Sequence, residues 1–150
     1  MTQSKYPLPR VGMRYLALDH GAVRIGVALS DELKMIATPR EFIPAEPFAE
    51  FVEKLKMLVR EQEVELVLVG LPRNMDGSYG DAATKVRSFI VALKDVLLIP
   101  VRTWDERLTT VAAARQLRSG GTKAKDQRHK VDSASAAVLL QSYLDSLSLG

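Results

Sequence analysis

Asp19, the Asp105-Glu106 pair and Asp132 are the positions best suited to chemistry, because of what each adjoins. Asp19 closes an apolar run that begins at Met13. Asp105-Glu106 follow a second run, Val96–Val101, through Arg102-Thr103-Trp104, and Asp132 precedes the small residues Ser133-Ala134-Ser135-Ala136-Ala137. A carboxylate at the end of a buried strand costs several kcal/mol unless a cation or hydrogen-bond donors satisfy it. Taken singly, each acid has a plainer explanation. Asp19 suits a turn ahead of Gly21, Asp105 and Glu106 suit a helix N-terminus, and Asp132 suits a helical first turn. Taken together they are the donor set for phosphodiester hydrolysis assisted by two divalent ions, in which carboxylates converge around metals roughly 3.5–4 Å apart. Mg2+ or Mn2+ accepts oxygen ligands and keeps waters of its own, so three carboxylates are enough.

Such a site also needs cations to hold a phosphate backbone. Between Arg115 and Lys130 lie six basic residues (Arg115, Arg118, Lys123, Lys125, Arg128 and Lys130) and one acid, Asp126. This segment carries +5, so the remainder of a +3 chain carries −2. Clustered charge of this kind is an electrostatic footprint for a polyanion, and its plainer alternative is a solvated loop. It leads directly into Asp132. Gly21 and Gly26 flank the turn after Asp19, where a glycine lets a backbone or phosphate approach closely.

Composition narrows the chemistry further. With no cysteine among 150 residues there is no disulfide scaffold, thiol nucleophile, iron–sulfur cluster or cysteine zinc site. Two histidines, His20 and His129, leave little room for a histidine-rich centre, so any metal should be a hard cation. No apolar run approaches the ~20 residues of a membrane span, and the N-terminus lacks a signal peptide's apolar stretch. A cytoplasmic protein with no membrane partner is expected, and a homodimer is compatible with the sequence.

The elements that must position these residues follow from periodicity. Residues 1–12 read as a disordered tail and 13–150 as one domain. Met13–Leu18 and Arg24–Ser30 form a hairpin across Asp19-His20-Gly21, and Ile36–Ile43 adds a strand that Pro39 confines to a sheet edge. A helix opens over Pro44–Pro47, with Pro47 suited to the first helical position and Phe48, Phe51, Val52, Leu55, Leu58 and Val59 on its apolar face. Val64–Val69 is a buried strand running into the loop Gly70–Gly77. Ser78 starts the next helix with Asp81 as its capping-box partner, and Ala82, Val86, Phe89 and Leu93 form the inner stripe. Val96–Val101 is the fifth strand. A helix over about Thr109–Leu117, the basic loop and a helix over about Val131–Leu147 complete the chain. Three antiparallel strands followed by two parallel additions make a five-stranded mixed sheet flanked by helices, an α/β fold.

Four motifs then carry a resemblance. A-L-D-H-G-A-V-R-I-G-V-A-L-S-D, V-G-L-P-R-N-M-D-G-S, D-E-R-L-T-T and K-V-D-S-A-S-A-A-V-L-L-Q-S-Y-L occur in this order from Ala17 to Leu144. They resemble the YqgF family of Holliday junction resolvase-like proteins, regarded as nucleases that mature pre-16S ribosomal RNA. The resemblance implies a ribonuclease H-like fold with Asp19, Glu106 and Asp132 as an acidic triad. It also implies that Arg24, Asn74 and Lys130 touch substrate or orient the carboxylates. Ala22 and Val23 depart from the family, which usually carries a small hydroxyl and a basic residue there, and Tyr79-Gly80 is unusual after the second motif.

With strand order 3-2-1-4-5, Glu106 follows a strand two spacings from the first, roughly 10 Å away. Its loop must curl inward to meet Asp19. Asp76, after the nearer fourth strand, is a spare candidate ligand, and Asp105 is expected to support the site from behind. The leading expectation is a Mg2+- or Mn2+-dependent nuclease acting on a ribosomal RNA precursor. The alternatives are a resolvase of branched DNA and a nucleic-acid-binding regulator without catalysis. A sugar kinase or actin-like ATPase would need a second half-domain, for which 150 residues leave no room.

Overall fold

The computed structural model describes residues 13–72, 80–106 and 124–149, with 124–132 and 149 as backbone alone. Five strands, β1 (Arg14–Asp19), β2 (Arg24–Ser30), β3 (Ala37–Pro44), β4 (Val64–Leu71) and β5 (Val101–Asp105), form one sheet. Its order is β3-β2-β1-β4-β5. β1–β2 and β2–β3 pair antiparallel, and β4 and β5 add in parallel. Topology and order are those expected. Pro39 lies in β3, an edge, where a missing N–H breaks no ladder on the outer side.

The central strands are apolar on both faces, and alternation sorts their side chains between two cores. Leu16, Leu18, Ile25, Val27, Val67 and Val69 face one layer, where α1 (Phe48–Glu61) and α2 (Asp81–Val96) pack with Phe51, Leu55, Phe89 and Leu93. Ala17, Ala28, Leu66 and Leu68 face the other, covered by α3 (Ala124–Leu149) through Ala136, Leu139, Leu140, Tyr143 and Leu144. The second layer admits small residues: Ser133, Ser135 and Ala136 are buried against the sheet. Among the described residues no helix is long and apolar enough to cross a membrane.

Several boundaries differ from the sequence expectation. Pro47 is the N-cap of α1 rather than its first residue, with extended backbone (φ −70°, ψ 148°). Its carbonyl accepts from the amides of Glu50 and Phe51, each at 3.1 Å. β4 runs on through Gly70 and Leu71, which pair with Trp104 and Asp105, so these two residues are strand and not loop. α2 begins at Asp81 with Gly80 as N-cap and no side-chain cap, and Ser78 lies outside the described residues. Ala83, Val86, Phe89, Ile90 and Leu93 are its buried residues, and Ala82 is exposed. The fifth strand is not Val96–Val101. Val96 ends α2, Leu97–Pro100 is the link, and the strand is the next five residues. α3 starts earlier than Val131, so Lys125, Arg128 and Lys130 belong to a helix and not to a basic loop. Lysine, alanine, glutamine and arginine are all good helix formers, which explains that extension. The helix expected over Thr109–Leu117 lies outside the described residues, as do residues 1–12.

Candidate active site

Asp19 is the last residue of β1 and is half-buried. Because Ala17 packs under α3, alternation puts Asp19 on that same face. His20 goes the other way. Its ring lies 4.8 Å from the Phe89 ring of α2, and burial first, then the Lys85 charge, holds its pKa below the ordinary 6.5. Gly21 follows because a Cβ there would sit 2.4 Å from the Arg24 carbonyl oxygen. The hairpin's own backbone, rather than an approaching phosphate, is what this glycine accommodates.

Glu106 arrives from the opposite side. β5 is tied to α3 by Trp104, whose Nε1 donates to Ser142 Oγ at 3.2 Å and whose ring meets Tyr143 edge-on at 5.0 Å. Arg102 Nη1 donates to the Tyr143 hydroxyl at 3.4 Å. From this anchored strand the Glu106 carboxylate folds inward over β4. A Cβ built on Gly70 would meet Glu106 Oε2 at 2.9 Å and the Leu139 methyls at 3.0 and 3.2 Å. The required inward curl is therefore present in the Glu106 side chain. Leu18 pairs with Val69, so Asp19 and Gly70 are the next positions along, one strand spacing of ~4.8 Å apart. Asp105 has the opposite parity, which assigns it to the α1/α2 face.

Asp132 lies in α3, and its position follows from its helical neighbours. The next residue, Ser133, is buried and its hydroxyl donates to the Arg40 carbonyl of β3. Arg40 pairs with Val27, and Val27 with Leu18, so this turn of α3 sits level with the C-terminal end of β1. Position 132 is three before Ser135, four before Ala136 and seven before Leu139, all buried. Those spacings define one helical face, and that face lies on the sheet. Arg24 opens β2 with its guanidinium 4.8 Å from the Phe42 ring centroid, and parity with Ala28 puts it on the α3 face too. Asn74, Asp76, Arg115, Arg118 and Lys123 lie outside the described residues. Lys125, Arg128 and Lys130 are placed by the α3 backbone alone.

Among the described residues no group of three or more His, Asp or Glu side chains gathers as a metal site. Asp19 at the end of β1 and Glu106 over Gly70 are both carboxylates on the α3 face, and the Gly70 gap is a cradle occupied by the second of them. That set fits a hard divalent ion and not a thiophilic one. Gly70, Leu139 and the Ser133–Arg40 contact are the positioning features that the sequence did not disclose.

Comparison with known proteins bears on the family and the fold. The family described as "RuvX: Holliday junction resolvase" matches residues 13–146. A relative from Halothermothrix orenii named "Putative pre-16S rRNA nuclease" is 44% identical over 133 residues, covering 89% of this chain and 95% of its own. Another of that name, from Caldanaerobacter subterraneus subsp. tengcongensis, is 47% identical over 135 residues, covering 89% and 97%. In fold, T. thermophilus RuvC in complex with a Holliday junction substrate superposes with a TM-score of 0.56 at 15% identity, over 91% of this chain and 97% of that one. The sheet order, the two helical layers and the family match agree, and the chain belongs to the RuvX family of Holliday junction resolvase-like nucleases.

Proposed function

We propose that this chain is a divalent-metal-dependent nuclease that hydrolyses phosphodiester bonds in a precursor of 16S ribosomal RNA. Asp19, Glu106 and Asp132 hold the ion, with Asp76 as a further candidate ligand. The observation that carries this reading is the Glu106 carboxylate lying over Gly70, one strand from the position of Asp19 and beneath α3. A divalent ion held there, Mg2+ or Mn2+, supplies the charge stabilisation and water activation that phosphodiester cleavage needs. The chain's own residues do the rest. The ends of β1 and β5 carry Asp19 and Glu106, and the backbone of α3 brings position 132 level with them. Arg24, Asn74 and the basic residues Arg115, Arg118, Lys123, Lys125, Arg128 and Lys130 grip the phosphate backbone. Lys125, Arg128 and Asp132 are spaced three and four apart, so in α3 they share one helical face. A polyanion bound along that face is led to the carboxylates. The RNA substrate is supported by the name its relatives carry. We place the activity in the cytoplasm, in one domain over residues 13–150.

The test is cleavage of a pre-16S RNA with Mg2+ or Mn2+, comparing wild type with Asp19→Asn and Asp132→Asn. Losing a metal ligand removes several kcal/mol of transition-state stabilisation, so cleavage should fall about 1000-fold or more. Variants that cut like wild type would sink the assigned site. Branched DNA is the second reading, favoured by the family description, and a four-way junction run in parallel separates the two. Binding without cleavage of either substrate would leave a regulator, and that binding too should weaken steeply with salt.

A further inference from the structure

We infer that Gly70 is a positioning residue for Glu106: the missing side chain at this point of β4 is the seat that lets a carboxylate from the edge strand reach the site. The inference rests on the reading of Glu106 as a metal ligand. β5 lies two strand spacings from β1, roughly 10 Å, too far for carboxylates on their C-terminal ends to share an ion without a crossing. The crossing must pass over β4. At Gly70 the floor of that path is bare backbone, and Glu106 Oε2 rests 2.9 Å from where a Cβ would be. Real Cβ atoms do not tolerate such a contact, so any larger residue displaces the carboxylate.

The displacement is directed. Leu139 of α3 closes the seat from above, its methyls 3.0 and 3.2 Å from the same point. It is 2% exposed and packed among Leu68, Leu66 and Ala136, so it has little room to retreat. A side chain at position 70 therefore pushes the flexible partner, Glu106, back toward β5 and away from Asp19. Gly70 pairs with Trp104 within the sheet, so the strand itself is held and the change falls on the carboxylate.

Substrate-free Mn2+ binding, followed by calorimetry or electron paramagnetic resonance, tests this for Gly70→Ala, Glu106→Gln and the double variant. Removing a group that orients a metal ligand typically costs about 10- to 100-fold in affinity, and Gly70→Ala should fall in that range. The double variant should bind no worse than Glu106→Gln alone, because both changes remove one interaction. If Glu106→Gln weakens Mn2+ binding and folded Gly70→Ala does not, the seat is disproved while the ligand assignment stands. If Glu106→Gln binds like wild type, the ligand assignment fails, and the inference fails with it. Should Gly70→Ala not fold, Glu106→Asp decides, since it keeps the charge and lacks the methylene needed to cross β4. Loss of Mn2+ affinity in Glu106→Asp supports the seat, and wild-type affinity overturns it.

Discussion

The two faces of the sheet are both buried, yet they are built from different materials. The α1/α2 face is filled by large apolar side chains, with Phe48, Phe51 and Phe89 rings 5.5–6.4 Å apart. The α3 face mixes small residues with directed polar contacts. Ser133 bonds the Arg40 carbonyl and Trp104 bonds Ser142. The Gln141 amide bridges β3, accepting from Ala37 N and donating to Met35 O, each at 2.9 Å. Apolar contact is non-directional, so the first face stabilises without specifying the position of any one atom. Hydrogen bonds carry angles as well as distances, so the second face fixes where α3 lies along the sheet. Asp19 and Glu106 belong to the second face, Asp19 by strand alternation and Glu106 by its place over Gly70 beneath Leu139. Stability and positional accuracy are thus assigned to opposite sides of one sheet.

The largest effect that can break this division is on stability. Phe51 is fully buried, and Phe51→Ala should cost about 3–5 kcal/mol, lowering the melting temperature by about 10 °C. Below that transition, cleavage per folded molecule should be unchanged. A folded Phe51→Ala protein that has lost Mn2+ binding would abolish the division of labour. Ser133→Ala is the reciprocal case. Removing the hydroxyl that bonds the part-buried Arg40 carbonyl costs about 0.5–1.5 kcal/mol, a smaller loss of stability. Cleavage should nevertheless fall at least tenfold, because Asp132 is the adjacent residue. Equal melting loss with unaltered cleavage would show that the hydroxyl only stabilises.

How much of this was legible in the sequence depends on the range of the interaction involved. Strand order was readable because each step is local: a hairpin over His20-Gly21, then parallel strands each preceded by a helix. The fifth strand lies later than its apolar signal because Val96–Ile99 is as apolar as a buried strand, and an apolar run alone does not separate a helix end from a strand. The real strand is an exposed edge with Arg102 and Thr103 on its surface, so its pattern is weak. Leu98 in the link is fully exposed. Charge in 124–130 suggested a loop, although its residue types favour helix. Asp19 and Glu106 stand out by following apolar runs, and Asp132 by standing between a basic segment and a run of small residues. Gly70 was not, because its value depends on a side chain arriving from another strand, and a glycine before Pro72 looks like a turn. Ser133 was legible as small but not as a donor, since Arg40 lies on a different layer.

The smallest predicted effect concerns the residue where the two faces meet. Asp19 and His20 are consecutive, and they leave β1 on opposite sides. Asp19 turns toward α3, and the His20 ring meets Phe89 at a tilt, beside Phe51. The imidazole is held below its ordinary pKa of 6.5, mainly by burial and then by Lys85. The folded chain therefore takes up that proton less readily than the unfolded one. Stability is complete above about pH 6.5 and falls as pH drops toward the folded value, because the unfolded state binds the extra proton. Melting temperatures between pH 7.5 and 5 should decline more in wild type than in His20→Phe, which keeps an apolar ring against Phe89 and has no proton to bind. If both decline equally, other groups carry the acid sensitivity and the half-buried imidazole is a neutral spectator. If His20→Phe removes that part of the slope and leaves Mn2+ affinity at pH 7.5 intact, the ring acts only within the apolar layer. A loss of Mn2+ affinity instead would mean that anchoring His20 on α2 is what aims Asp19 at α3, coupling the two faces through one peptide bond.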